Sequence, residues 1–206
     1  MTRYRSISLC PILAVLALTV ADAPRASFAQ TNTALNYSAD GRLDFPKDYR
    51  NWVYLSSGMN MSYAASAATR PSRFENVFVN PEAHSAFLKT GTWPDKTVFM
   101  LEVRAAEQNG SINKGGLFQS GAVQNREAHV KDSRLKGGWG FFRFDGEAPA
   151  RLLPQTEDCY SCHQDHAAVD TTFVQFYPTL LPIAVEKKTL AAGYFADEAA
   201  RSRAHP

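Results

Sequence analysis

Arg73-Phe74-Glu75-Asn76-Val77-Phe78-Val79-Asn80, followed at once by Pro81-Glu82-Ala83, is the stretch from which the fold is read. Its first part is aromatic and β-branched, the composition of a strand. Asn80 then stands as a helix cap, Pro81 takes the first helical position, and Glu82 sits near the positive end of the helix dipole. The helix continues through Lys89, and Gly91 supplies its stop.

Downstream, Trp93-Pro94-Asp95-Lys96 is a turn into a second strand, Thr97–Ala105. Residues 106–116 are polar with three glycines and read as a hairpin loop. Leu117–Val130 holds a third strand with room for a fourth, and Gly121 is a candidate bulge. Lys131–Lys136 is a charged turn, and Gly137–Phe144 is a glycine-led aromatic strand. Upstream, Asp44–Trp52 reads as a short helix with Phe45, Tyr49 and Trp52 on one face and Asp44 as its cap. Val53–Leu55 is an apolar run. Residues 56–71 are small and polar and read as a loop, and Gln30–Asp40 as a poorly ordered leader. Short connections favour antiparallel pairing. The fold class is therefore α+β: mainly antiparallel β-sheet with a few short helices.

The chain has 206 residues, enough for one domain with a sizeable core. Arg3 and Arg5, the apolar run Ile12–Ala21 and the small residues Ser27-Phe28-Ala29 form a secretory signal pattern, with cleavage after Ala29. Loss of Arg3, Arg5, Arg25 and Asp22 takes the basic count from 22 to 19 and the acidic count from 20 to 19. A mature chain of net charge near zero has no electrostatic footprint for nucleic acid. The expected organisation is a signal peptide over 1–29, a flexible leader over 30–43, one domain over 44–186 and a tail over 187–206. The pattern marks an exported chain.

Within the C-terminal part of that domain stands Cys159-Tyr160-Ser161-Cys162-His163, the C-x-x-C-H spacing of covalent c-type haem attachment. Two thiols three positions apart on one helical turn can form thioethers with the two vinyl groups of a single haem. The next residue, His163, then falls beneath the iron as its proximal ligand. A disulfide or a redox pair of Cys159 and Cys162 leaves His163 unexplained. Zinc held by Cys159, Cys162, His163 and His166 would need four ligands to converge from eight consecutive residues, without the intervening segment that usual zinc sites have. After the motif, Phe173–Val185 carries Pro178 and Pro182 and reads as an extended segment closing over the haem or the sheet. Residues 187–206 read as a helical tail.

The other axial position has no clear occupant. No methionine follows the motif; Met59 and Met61 lie in the small polar loop, and Met100 lies mid-strand. His166 is too close in sequence to wrap round the same iron. His84 reads as exposed and His129 as a strand-end residue. These features favour a five-coordinate iron open to a small molecule, with Phe74, Phe78 and Phe99 as candidate caps on the open face.

The chain resembles the cytochrome P-460 and cytochrome c′-beta family of periplasmic haem proteins. The matching pieces are Phe45-Pro46-x-x-Tyr49-x-x-Trp52, Val77-Phe78-Val79-Asn80-Pro81, Thr90-Gly91-x-Trp93-Pro94-Asp95, Val130-Lys131-Asp132, Gly137-Gly138-Trp139-Gly140-Phe141, the C-x-x-C-H motif and Asp170-x-x-Phe173. The resemblance implies a mostly antiparallel sheet, a homodimer and one haem c ligated by His163. It also implies one of two types. One has a lysine cross-linked to the haem and oxidises hydroxylamine. The other lacks that link, has a hydrophobic pocket capped by phenylalanine, and binds nitric oxide or carbon monoxide. Lys89, Lys96 and Lys114 lie where the cross-linking lysine would fall, and Lys96 replaces the glycine usual after Pro-Asp. Hydroxylamine chemistry also needs a base, for which Glu102, Glu127 and Asp132 are candidates. The preferred expectation is capture of nitric oxide or a related small nitrogen ligand. The alternatives are hydroxylamine oxidation and electron transfer to a partner cytochrome.

Overall fold

The structure is a computed structural model that describes residues 35–62 and 71–204. The expected signal peptide and its expected cleavage point, part of the polar loop before Arg73, and His205 lie outside the described residues.

Five strands form one sheet in chain order: β1 (Val53–Met59), β2 (Arg73–Val79), β3 (Val98–Glu107), β4 (Phe118–Lys131) and β5 (Trp139–Phe144). Every neighbouring pair is antiparallel. Helix α1 (Pro81–Thr90) is inserted between β2 and β3. The remaining helices are α2 (Asp158–His166), α3 (Leu181–Lys187) and α4 (Ala192–Ala204). The α+β class therefore stands as the sequence indicates.

Both faces of the sheet are covered. Alternation along the strands puts Phe78, Met100, Ala128 and Phe142 in one cross-strand row and Val79, Phe99, His129 and Phe141 in the row on the other face. The first row packs under the N-terminal segment, against Leu43, Phe45, Tyr49 and Trp52. The second packs under α1, α3 and the chain between α2 and α3, through Phe87, Trp93, Val174, Leu180 and Ala184. A core of this kind is sensitive to truncation: Phe142, which is fully buried, contributes about 4 kcal/mol relative to alanine.

Several local expectations are corrected. Asp44–Trp52 holds only a 3-10 turn at Tyr49–Asn51, because Trp52 is already extended and leads into β1. Its three aromatic residues are nevertheless buried. Ser56–Met59 belongs to β1 rather than to a loop, since backbone pairing with β2 holds it and Ser57 bonds Asn76 at 2.9 Å. Residues 35–43 pack against the domain, with Leu43 bridging Tyr37 and Ala150 and only 2% exposed. Leu117–Val130 forms a single strand, irregular where Val103 to Ala106 faces Gln119 to Asn125. Pro182 sits in the first turn of α3, where no amide hydrogen is needed, so residues 181–187 are helical instead of extended. Asn80 occupies the cap position of α1, but its side chain accepts from the Val98 amide at 2.8 Å and so ties α1 to β3. Gly91 ends α1 with φ 72°, as a left-handed cap.

Asp132 fastens the two turns at one end of the sheet. Its carboxylate is fully buried and accepts from Arg134 at 2.6 Å, from Lys96 at 2.8 Å and from the Tyr37 hydroxyl at 3.3 Å. Arg134 above all, with Lys96, holds Asp132 well below the usual carboxylate range against the opposing effect of burial. Stability from such a carboxylate is fully present above its unfolded pKa, near 4, and fades as pH falls below that value. Asp132→Asn should therefore cost about 2 kcal/mol at neutral pH. Urea unfolding at pH 7 and at pH 3 should show that deficit shrinking in acid; a deficit that grows in acid contradicts the assignment.

Candidate haem site

The C-x-x-C-H motif lies on α2, so its spacing is helical. Tyr160, between the two cysteines, anchors this helix to the sheet. Its hydroxyl donates to the Leu153 carbonyl at 3.0 Å and accepts from the Phe141 amide at 3.3 Å, and its ring meets Phe141 edge-on at 4.8 Å. Cys159 and Cys162 are half-buried free thiols. Burial pushes both upward from the ordinary thiol value, which keeps them as thiols rather than thiolate ligands. His166 turns away and pairs with Asp197 of α4 at 2.8 Å. Among the described residues no group of three or more His, Cys, Asp or Glu is placed to hold a metal ion, so the zinc reading has no support.

His163 points inward from α2. Its Nδ1 lies 2.7 Å from the Thr171 carbonyl, an acceptor, so Nδ1 carries the hydrogen and Nε2 is left with its lone pair. A tight turn presents that carbonyl: Thr172 and Val169 bond each other's backbone, and Asp170 between them has φ 52°. Trp93 donates to the Thr172 hydroxyl at 2.8 Å, and Lys131 holds Asp170 at 3.1 Å. Burial pulls His163 below the ordinary histidine value, outweighing the Thr171 bond, and so favours the neutral imidazole that iron ligation needs. Phe173 at 4.2 Å and Phe141 at 4.8 Å enclose the ring.

His129 is beside His163 at 4.9 Å and stacked on Phe141 at 4.0 Å. One of its nitrogens is 3.2 Å from the Thr171 hydroxyl, and burial, followed by His163, keeps it well below the ordinary value. It therefore backs His163 and does not stand opposite it.

A cavity of about 370 Å³ opens beside His163. Its walls include Val77, Phe99, Leu101, Phe141 and Phe173, together with Arg73, Glu75 and Met61. An inward neutral imidazole with a free Nε2, two thiols on the same helix and an apolar hollow beside them fit a haem. The residues that would hold it are Cys159, Cys162 and His163.

The sequence candidates distribute unevenly around this cavity. Phe99 lines it. Phe78 is on the opposite face of the sheet, packed edge-on against Tyr49 and Tyr54, and Phe74 shares its alternation, so neither caps the site. Glu127 lines the cavity, held by Arg143 and Asn125 at 2.9 Å each. Glu102 is on the far face, bonded to Tyr49, Arg50 and Arg104, and Asp132 is committed to the turns described above. Lys89 and Lys114 are exposed away from the cavity. Lys96 bridges Asp95 and Asp132, and its φ of 66° explains why glycine suits that position. Met100 is buried in the core of the far face, and Met59 is 52% exposed. His84 is on α1 with no place in the cavity.

Sequence reasoning missed Val77, Leu101, Met61, Glu75 and the Thr171 carbonyl. Pairing with Phe99 through the β2–β3 register would have found Val77 and Leu101. A backbone carbonyl leaves no side-chain signal.

Comparison with known proteins agrees with this geometry. The family model for cytochrome P460 matches residues 46–174, which is more than half of the chain. No curated protein matches it. The chain belongs to the cytochrome P460 family and is a haem-binding cytochrome.

Proposed function

We propose that this chain is a periplasmic mono-haem c-type cytochrome that binds nitric oxide or a related small nitrogen ligand. The haem is attached through Cys159 and Cys162, and His163 is its proximal ligand through Nε2. The observation that carries the reading is the composition of the cavity wall. Every lysine of the sequence falls among the described residues, and none lines the cavity. A lysine–haem cross-link needs a lysine amine inside it. The apolar side chains Val77, Phe99 and Leu101 suit an uncharged diatomic better than a strongly hydrated substrate. Bound haem, held by Cys159, Cys162 and His163, would supply an iron atom able to take up such a molecule. The protein's part is to orient His163 through Thr171 and to exclude water from the opposite side.

One observation favours hydroxylamine oxidation as a second reading. Glu127 lines the same cavity and is a carboxylate placed to accept a proton there. Arg143 and Asn125 already occupy it, so it ranks behind the binding reading. Electron transfer to a partner cytochrome ranks third, since His129 is spent on the proximal side and Met100 on the far face. Export rests on the N-terminal basic and apolar pattern. Assembly as a homodimer rests on the family and on β1 being an edge strand with Tyr54 exposed.

Two outcomes test this. Protein matured with haem c should keep its haem through a denaturing gel, and Cys159→Ser with Cys162→Ser should lose it; haem retained by the double variant refutes the attachment. The reduced protein should show an ordinary five-coordinate high-spin spectrum that shifts on addition of carbon monoxide or nitric oxide. A six-coordinate low-spin spectrum indifferent to both gases would favour electron transfer.

A further inference from the structure

Met61 occupies a built position at the end of the haem cavity away from His163. The chain reverses after β1 at Asn60, which has φ 57°. Asn60 exchanges bonds with Arg73, its amide donating to the Arg73 carbonyl at 3.0 Å and its side chain accepting from the Arg73 amide at 2.9 Å. This reversal lays the Met61 side chain back over Gly58. A Cβ on Gly58 would stand 2.2 Å from the Met61 sulfur, so the absence of a side chain there is what admits the thioether. Met61 and Gly58 both line the cavity, together with Glu75, which pairs with Gly58 in the sheet.

The register fixes how far this is from the proximal side. His163 packs over His129 and Phe141, on β4 and β5. Gly58 is on β1, three strand spacings from β4, or about 14 Å across the sheet. The thioether therefore lines the hollow from the β1 side, while His163 packs over β4 and β5.

We propose that Met61 is the specificity-determining residue of the cavity, a flexible apolar gate that passes small uncharged molecules and slows larger ones. This rests on the ligand-binding reading above. A methionine suits the task because its unbranched side chain and three rotatable bonds let it yield to a diatomic without opening the cavity to bulk water. Met59, two residues earlier and half-exposed, is outside the cavity and serves as its control.

The test uses the haem-loaded, reduced, full-length protein. Association rates for carbon monoxide and for ethyl isocyanide are measured by flash photolysis and stopped flow. Met61→Ala should raise the isocyanide rate about tenfold and the carbon monoxide rate less, so that size discrimination falls, because truncation leaves a cavity the larger ligand can use. Met61→Leu, which keeps the volume, should stay close to the original ratio, and Met59→Ala should change nothing. Gly58→Ala, which must displace Met61, should alter the ratio in the original background and not in Met61→Ala. The unfolding midpoint and unliganded haem spectrum should stay the same in Met61→Leu, which separates a gate from a merely structural role. Equal ratios in the original protein, Met61→Ala and Gly58→Ala overturn the proposal while leaving the binding reading intact. An original protein that takes up neither ligand overturns both. In the oxidised protein, a sulfur-to-iron charge-transfer band that disappears in Met61→Ala also overturns the gate and shows a sixth ligand instead.

Discussion

The site depends first on the side-chain alternation of β3 against β2 and β4. Pairing of Phe99 with Val79 and His129, and of Leu101 with Val77 and Glu127, puts these residues on one face of the sheet. A slip of one residue would send Met100 and Glu102 to that face and bury a carboxylate where the hollow now is. Both outcomes are blocked by what covers the far face. Met100 and Phe142 pack there under the N-terminal segment, and Glu102 finds Tyr49, Arg50 and Arg104. The register is thus held by the needs of two different surfaces.

On that platform α2 and the Val169–Thr172 turn do complementary work. The helix fixes the relative positions of Cys159, Cys162 and His163. The turn fixes the tautomer and tilt of His163 through one backbone carbonyl. The turn is itself tied to distant parts of the chain, by Trp93 at the end of the α1 connection and by Lys131 at the end of β4. The segment around Pro94 and the strand end at Lys131 therefore bear on the placement of His163. This accounts physically for why the residues that suggested the family are spread over much of the chain and are not confined to C-x-x-C-H.

The sequence made the helix that carries C-x-x-C-H legible and left the rest of the cavity wall ambiguous. C-x-x-C-H announces itself because covalent attachment demands a fixed spacing on a helix. The strand at Arg73, the helix after Asn80 and the Gly91 stop were readable because each has a local chemical cause. The face of β2 was not readable. Both its sides are covered, so Phe74 and Phe78 looked as suitable as Val77, and only pairing with β3 separates them. Ser56–Met59 looked like loop because its residues are small and polar, and only hydrogen bonding to β2 makes it a strand. Met61 looked unremarkable for the same reason: its place follows from the reversal at Asn60 and the empty space over Gly58.

The central proposal is a haem attached covalently to this chain through two cysteine thioethers and through no lysine. Mass spectrometry of the haem peptide after trypsin digestion tests it directly. The account predicts a single peptide spanning Cys159 to His163 with the mass of one added haem. A haem that also carries a second, lysine-containing peptide would contradict it.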